Sequence, residues 1–592
     1  MLILDQIQND GTSSEKFNEG FTNSYGTGHS NSGRQAAVSS ISGKNGKAVL
    51  WVDFEHNYSD KKLFVYPQAA MILNKSSALS ISSETTKLEL STSANENLKD
   101  SNMNSYMQDV KGGIFLPNDN KEYFALSFTE NTQIGYGAGN RYCSALVFFV
   151  GMEIKDDQVT LSDTKVMIER GLQQEYSPAS VAVGDFTGTG TTNEIALVTA
   201  DKEGIYLSVY RLKNDNDTYS YDTVVKSEKV CSYTGRMKNG TVKNKTDFAA
   251  AEALAGDFDG DGKTEIAVVY KDDVQDVGNS EYAWGKINVR VYKWNNGSFK
   301  SENANTSYNY LAQGPMVYIL GFRSAKADLD GDGKDEIAVL LIAEYDYVDR
   351  FYFDGIVYPY LTRWYCDQGS ITPKYDSNSL KGSGIRQGVL KTSQSVLFEN
   401  SLGSSQKPKG VFHFYDNDND NTREGKALYI NAPYVQRTYS IIAAPFTGTM
   451  GKIKTVDDIA VSWCGNYALE YTNAFANGSY PRAYLFKTNL SNNNFSSFGD
   501  AKNVFSRNWT NTKTALTAAD FIGEGVELEA PVHLKVKGNR NYAAIIQTPP
   551  YHVDYIPVPW ESDQTPKLTN FTYSSALKST YTHKKKVQRL KT

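Results

Sequence analysis

Residues 256–269 read Gly-Asp-Phe-Asp-Gly-Asp-Gly-Lys-Thr-Glu-Ile-Ala-Val-Val, and residues 327–340 read Ala-Asp-Leu-Asp-Gly-Asp-Gly-Lys-Asp-Glu-Ile-Ala-Val-Leu. The near-copies stand 71 residues apart, counted from Asp257 to Asp328. In each, carboxylates occupy positions 1, 3, 5 and 9 of a glycine-rich loop, and an apolar run of strand type follows at once. Alternate residues of a tight loop point inwards, so Asp257, Asp259 and Asp261 converge on one point. Gly262 supplies the turn that brings in the Lys263 carbonyl, and Glu265 closes the shell. The second set is Asp328, Asp330, Asp332, the Lys334 carbonyl and Glu336. Such an all-oxygen, anionic cage suits Ca²⁺ better than Mg²⁺, which holds on to its waters. Left without a cation, the carboxylates would repel one another. The plain alternative is an Asp/Gly turn chosen for conformation alone, and the full carboxylate set, present twice, speaks against it. An EF-hand is excluded because its position 12 needs Glu, where this chain has Val268 and Val339. A phosphate loop would need Gly at 257 and a following helix.

Used as a ruler, the same step finds weaker copies. Gly184–Gly190 leads into Asn193–Val198, with Thr187, Thr189 and Asn193 replacing carboxylates. Ala444–Thr449 leads into Asp457–Val461, with Pro445 and Thr447 in those places, and both loops are expected to keep the turn and lose the metal. Ala519–Gly525 carries Asp520 but is interrupted by Ile522. The faintest copies are Gly43–Lys47 before Ala48–Trp51, and Asn118–Glu122 before Tyr123–Leu126. Each unit has an apolar strand, a loop and an Ile-Ala-Val strand, then alternating runs such as Lys286–Tyr292. The expectation is an all-β, seven-bladed β-propeller, with six to eight blades as the range, carrying calcium loops at its blade hairpins. A string of separate small β-domains competes with it, but units of about 70 residues would each need a private core.

The ruler also sets boundaries. Residues 1–40 form an N-terminal segment, either partly disordered or closing the propeller, and residues 41–545 hold the repeats. The interval from Asp328 to Pro445 is too long, which places an insertion around 345–440. Within it, Asp416, Asp418, Asp420 and Glu424 repeat the carboxylate spacing, with Asn421 at the glycine position, and form a further candidate metal loop. Residues 546–592 read as a Pro-rich linker and a basic tail.

A net charge of −6 over 592 residues offers no field for nucleic acid. No run approaches 18 apolar residues, so no membrane insertion is expected. Cys143, Cys231, Cys366 and Cys464 stand far apart and build no zinc or redox motif; each is expected to pack as a small apolar residue. Met1–Gln6 has neither a basic region nor a long apolar run, so no signal peptide is read there.

Taken together, the loops resemble those of the FG-GAP/VCBS repeat family, the propeller of the integrin α-subunit N-terminus. The likeness rests on Asp257–Val269 and Asp328–Leu341 and extends weakly over residues 41–545. It implies Ca²⁺ held through the matched residues on one face of a seven-bladed propeller, with ligand on the opposite face. Relatives include adhesion receptors, fungal lectins and bacterial surface or secreted proteins. A binding or adhesion module with a protein or carbohydrate ligand is therefore expected, monomeric or part of a larger chain. An extracellular or cell-surface place is expected as well, since calcium sites of modest affinity fill only where calcium is plentiful. No H-E-x-x-H, G-x-S-x-G or nucleotide loop occurs, and the six histidines show no ligand spacing, so enzyme activity is not expected. The alternatives are a polysaccharide hydrolase or lyase whose carboxylates gather from several blades, and a structural module of a larger protein.

Overall fold

A computed structural model describes most of residues 35–232, 250–301 and 317–365. Beyond these it describes the strands named below, down to Tyr542–Gln547. Every described regular element is a β-strand. None of the described residues forms a helix long and apolar enough to cross a membrane.

The described strands form seven antiparallel sheets of four to six strands and one separate hairpin, Val526–Glu529 with His533–Val536. In chain order, the first sheet runs Gln35–Ser42, Gly46–Asn57, Lys62–Lys75, Ala78–Ile81, with two short strands added to the third. The second runs Asn104–Gly113, Glu122–Gln133, Arg141–Lys155, Gln158–Leu172, and the third Ala179–Gly184, Glu194–Asp201, Gly204–Asp215, Thr218–Ser232. The fourth runs Ala250–Gly256, Glu265–Gln275, Trp284–Asn295, Ser298–Ser301, joined by Thr306–Tyr308. The fifth is Val317–Ala327, Glu336–Asp349, Tyr352–Tyr365, Arg386–Val389. The sixth is Tyr439–Ala444, Asp458–Cys464, Pro481–Asn489, Asn494–Ser497, with Phe505–Ser506 beside the third strand. The seventh joins the first and last described strands: Thr514–Ala519, Tyr542–Gln547, Leu2–Asp5, Ser14–Asn18, with Leu2 opposite Ile545 and Leu4 opposite Ala543.

Tight turns make these meanders regular. The hairpins between third and fourth strands of the second, third and fourth sheets turn on Asp156-Asp157, Asn216-Asp217 and Asn296-Gly297, all at positive φ. That pair of left-handed residues twists with the strands, as type I′ turns do.

The first strand of each sheet lies against the first strand of the next. Gln35–Ser42 touches Asn104–Gly113, which touches Ala179–Gly184, and so on through Ala250–Gly256, Val317–Ala327, Tyr439–Ala444 and Thr514–Ala519. Thr514–Ala519 in turn touches Gln35–Ser42. The sheets share their cores. In the strand Arg141–Lys155, Leu146, Phe148 and Val150 pack towards the first sheet, while Ala145, Val147 and Phe149 pack towards the third. The same division separates Ile195 and Leu197 from Ala196 and Val198. A strand buried on both faces needs an unbroken apolar run, which is the physical reason for the Ile-Ala-Val sequences. Edge-to-face rings strengthen the first interface, with Phe128 at 5.3 Å from Phe54 and 5.8 Å from Phe148; each such pair adds about 1 kcal/mol beyond its buried area. Cores shared between sheets exclude separate domains over the first four sheets.

The first strands also carry a buried polar belt. Asp109, Ser180, Glu252 and Arg323 stand on four consecutive first strands, each less than a tenth exposed. Arg323 Nη1 lies 2.8 Å from Glu252 Oε1, and its Nη2 lies 3.7 Å from Asp109 Oδ1. Ser180 Oγ donates to Asp109 at 2.6 Å and accepts the N–H of Ala253 at 3.0 Å. The N–H and hydroxyl of Ser324 both donate to Glu252.

Candidate metal centre

The loop after Ala250–Gly256 folds around its first aspartate. Asp257 accepts the N–H groups of Gly260 (2.8 Å) and Asp261 (3.0 Å) on one oxygen and that of Gly262 (2.9 Å) on the other. Gly260 and Gly262 sit at φ of 78° and 81°, a region that L side chains avoid. Asp259 and Asp261 accept the N–H groups of Asp261 and Lys263. Glu265 opens the next strand fully buried, and one of its oxygens accepts the N–H of Phe258 at 2.9 Å. The other oxygen has no hydrogen-bond partner. One ligand oxygen from each of Asp257, Asp259, Asp261 and Glu265 lies within 4.8 Å of the others. Calcium–oxygen bonds of about 2.3–2.6 Å place opposite ligands about 5 Å apart, so these four oxygens fit around one ion. Among the described residues no other cluster of this kind is found. The Lys263 side chain is mostly exposed.

Burial pushes the Glu265 carboxyl up to about 8, and the neighbouring Asp259 adds to the effect. Burial alone would also raise Asp261, but hydrogen bonds from Lys293 and from the N–H of Lys263 hold it below its ordinary value.

The other loops divide. Asp328 accepts the N–H of Gly333, which has φ 83°, as Asp257 does that of Gly262, and Glu336 is buried at the head of its strand. The Lys334 side chain lies over Gly260 of the fourth-sheet loop. Asp330, Asp332 and all of Asp416, Asp418, Asp420 and Glu424 lie outside the described residues. In the third sheet Asp185 still accepts the N–H groups of Thr189 and Gly190, with Gly188 and Gly190 at φ 70° and 73°. One reading changes. Glu194, rather than Asn193, corresponds to Glu265, because its carboxylate accepts the N–H of Phe186 at 2.8 Å. This loop is one residue longer, so counting positions misassigns its last ligand.

Asn193 instead serves as a latch between sheets. Its side chain accepts the N–H of Ile114 while its own N–H donates to the Ile114 carbonyl, both at 2.7 Å. Asp335 holds Asp257 in the same two-way manner, and Asp457 holds Asp328. The latch also explains Gly256, where an added Cβ would stand 2.8 Å from an Asp335 oxygen. Sequence reading did not assign this role to them, although each directly precedes the buried acid of its strand.

It also missed Lys293. The ammonium is ion-paired to Asp259, lies 2.6 Å from Asp261 Oδ2 and reaches to 3.9 Å from Glu265 Oε1. Compared with known sequences, the chain matches no protein-family model and no curated protein.

Proposed function

We propose that this chain is a calcium-stabilised β-propeller of seven blades that acts outside the cytoplasm as a binding module for a protein or carbohydrate ligand. Support for the ring comes from the order of contacts between first strands, which returns from Thr514–Ala519 to Gln35–Ser42. Pairing of Leu2–Asp5 with Tyr542–Gln547 supports it further, since a blade built from strands far apart in the sequence is a way to remove open sheet edges. The observation that carries calcium is the gathering of one oxygen from each of four acids, among them the fully buried Glu265, whose Oε1 has no hydrogen-bond partner. Lys293 comes no nearer to that oxygen than 3.9 Å, and a buried carboxylate oxygen without a hydrogen bond is costly unless a cation meets it closely.

Calcium should therefore stabilise the fold. At about 1 mM Ca²⁺ and a Kd of about 0.1 mM, one site adds about 1.4 kcal/mol. The melting temperature should rise with calcium and fall after EDTA; a melting curve indifferent to both rejects the metal. Calorimetry should show one fewer ion, or much weaker binding, for Asp259→Ala and likewise for Asp328→Ala. Thr187→Ala should leave the stoichiometry unchanged, because the Thr187 hydroxyl is bonded to Glu194 and Arg211. Loss of an ion in that variant would overturn the division of the loops.

A further inference from the structure

The loops of the third and fourth sheets differ in their acids but share a cation. In the fourth sheet Ile266 pairs with Tyr292, and Lys293 follows. In the third, Ile195 pairs with Tyr210, and Arg211 follows. The two basic residues thus hold one register position, on the third strand of each sheet. Each reaches back to the buried acid that opens the second strand. Arg211 Nη2 lies 2.6 Å from Glu194 Oε1 and donates to Thr187 Oγ1 at 2.9 Å. The Lys293 ammonium lies among Asp259, Asp261 and Glu265, three of the four groups whose oxygens gather in the loop.

We infer that this register position carries a tethered cation which competes with calcium. In the third sheet the substitution is complete: guanidinium, Thr187 and Glu194 satisfy one another, and no metal is required. In the fourth sheet the ammonium and the ion claim the same three carboxylates, so calcium competes with Lys293 for them. The lysine offsets part of the loop's negative charge when calcium is scarce and weakens the site when calcium is present. At the same register of the fifth sheet, Ile337 pairs with Trp364 and the following residue is Tyr365, which carries no charge. This inference rests on the calcium reading above.

Calorimetry of the full chain with CaCl₂ tests it, comparing the wild type with Lys293→Met and with Asp259→Ala, which marks the fourth-sheet site. Removing one unit charge beside the ion should tighten that site by about tenfold or more. An unchanged or weaker Kd in Lys293→Met, with the wild type still binding calcium, overturns the competition and leaves the metal reading standing. Absence of binding in both proteins defeats the metal reading itself. A second measurement needs no variant: acetic anhydride labelling of wild-type Lys293, read by mass spectrometry. Labelling should increase several-fold when calcium releases the ammonium, and labelling that stays constant or falls while calorimetry records binding overturns the proposal.

Discussion

Replacing Arg323 by Met should destabilise the protein by about 3–5 kcal/mol, the usual result of removing one partner from a buried ion pair. The guanidinium is the one basic group of the belt formed by Asp109, Ser180, Glu252 and Arg323, and it faces carboxylates from two other sheets. Methionine fills much of the same space, so the loss reports charge more than cavity. Burial already raises the Glu252 carboxyl above its ordinary value, with Arg323 pulling it down. Without Arg323, Glu252 can escape by taking up a proton, at a cost that grows with pH. The deficit of the variant should therefore widen between pH 5 and pH 8. Adding Glu252→Gln should recover part of the loss at pH 8 and little at pH 5. Denaturant titrations at both pH values measure this, and a deficit below about 1 kcal/mol would show that the belt contributes little.

The belt was legible in the sequence by the same ruler that found the loops. Ser180, Glu252 and Arg323 each stand five residues before the aspartates 185, 257 and 328, and Ser440 stands five before Pro445. Asp109 stands five before Ile114, the residue latched by Asn193. A polar side chain recurring at one place in an apolar strand is a signal, although which members pair depends on how the sheets meet. The all-β class and the loop positions were legible for a simpler reason. Glycine at positive φ and runs of Ile, Ala and Val are demanded locally, by backbone sterics and by burial on both faces. Lys293 and Arg211 were not legible, because they lie 28 and 17 residues beyond the buried acids they meet. Only strand register brings them to the loop. The part of the seventh sheet supplied by Leu2–Asp5 and Ser14–Asn18 is similarly non-local, and no loop motif marks it.

Glu130 supplies the second large effect, and this one is set by pH. It lies in the strand Glu122–Gln133, opposite Ser144, and is 4% exposed. Its Oε1 has no hydrogen-bond partner. Burial is the main cause that pushes its carboxyl up to about 7, and the charge of Glu169 adds to it. Below the ordinary value of 4.5 the group is protonated whether the chain is folded or not, and it costs nothing. Between that value and about 7 the unfolded chain ionises first, so stability falls as pH rises. Above about 7 the folded protein ionises too, and the loss levels off at about 3 kcal/mol. Glu130→Gln keeps the shape and removes the charge, so the variant should match the wild type near pH 4 and exceed it by about 3 kcal/mol at pH 8. Glu169→Gln should lower the Glu130 carboxyl slightly, so that the loss levels off at a somewhat lower pH and is somewhat smaller. Denaturation midpoints taken every half unit from pH 4 to pH 8.5 give both curves. Parallel profiles for wild type and Glu130→Gln would mean that this carboxyl ionises as it does in the unfolded chain, and that water or a donor reaches Oε1 after all.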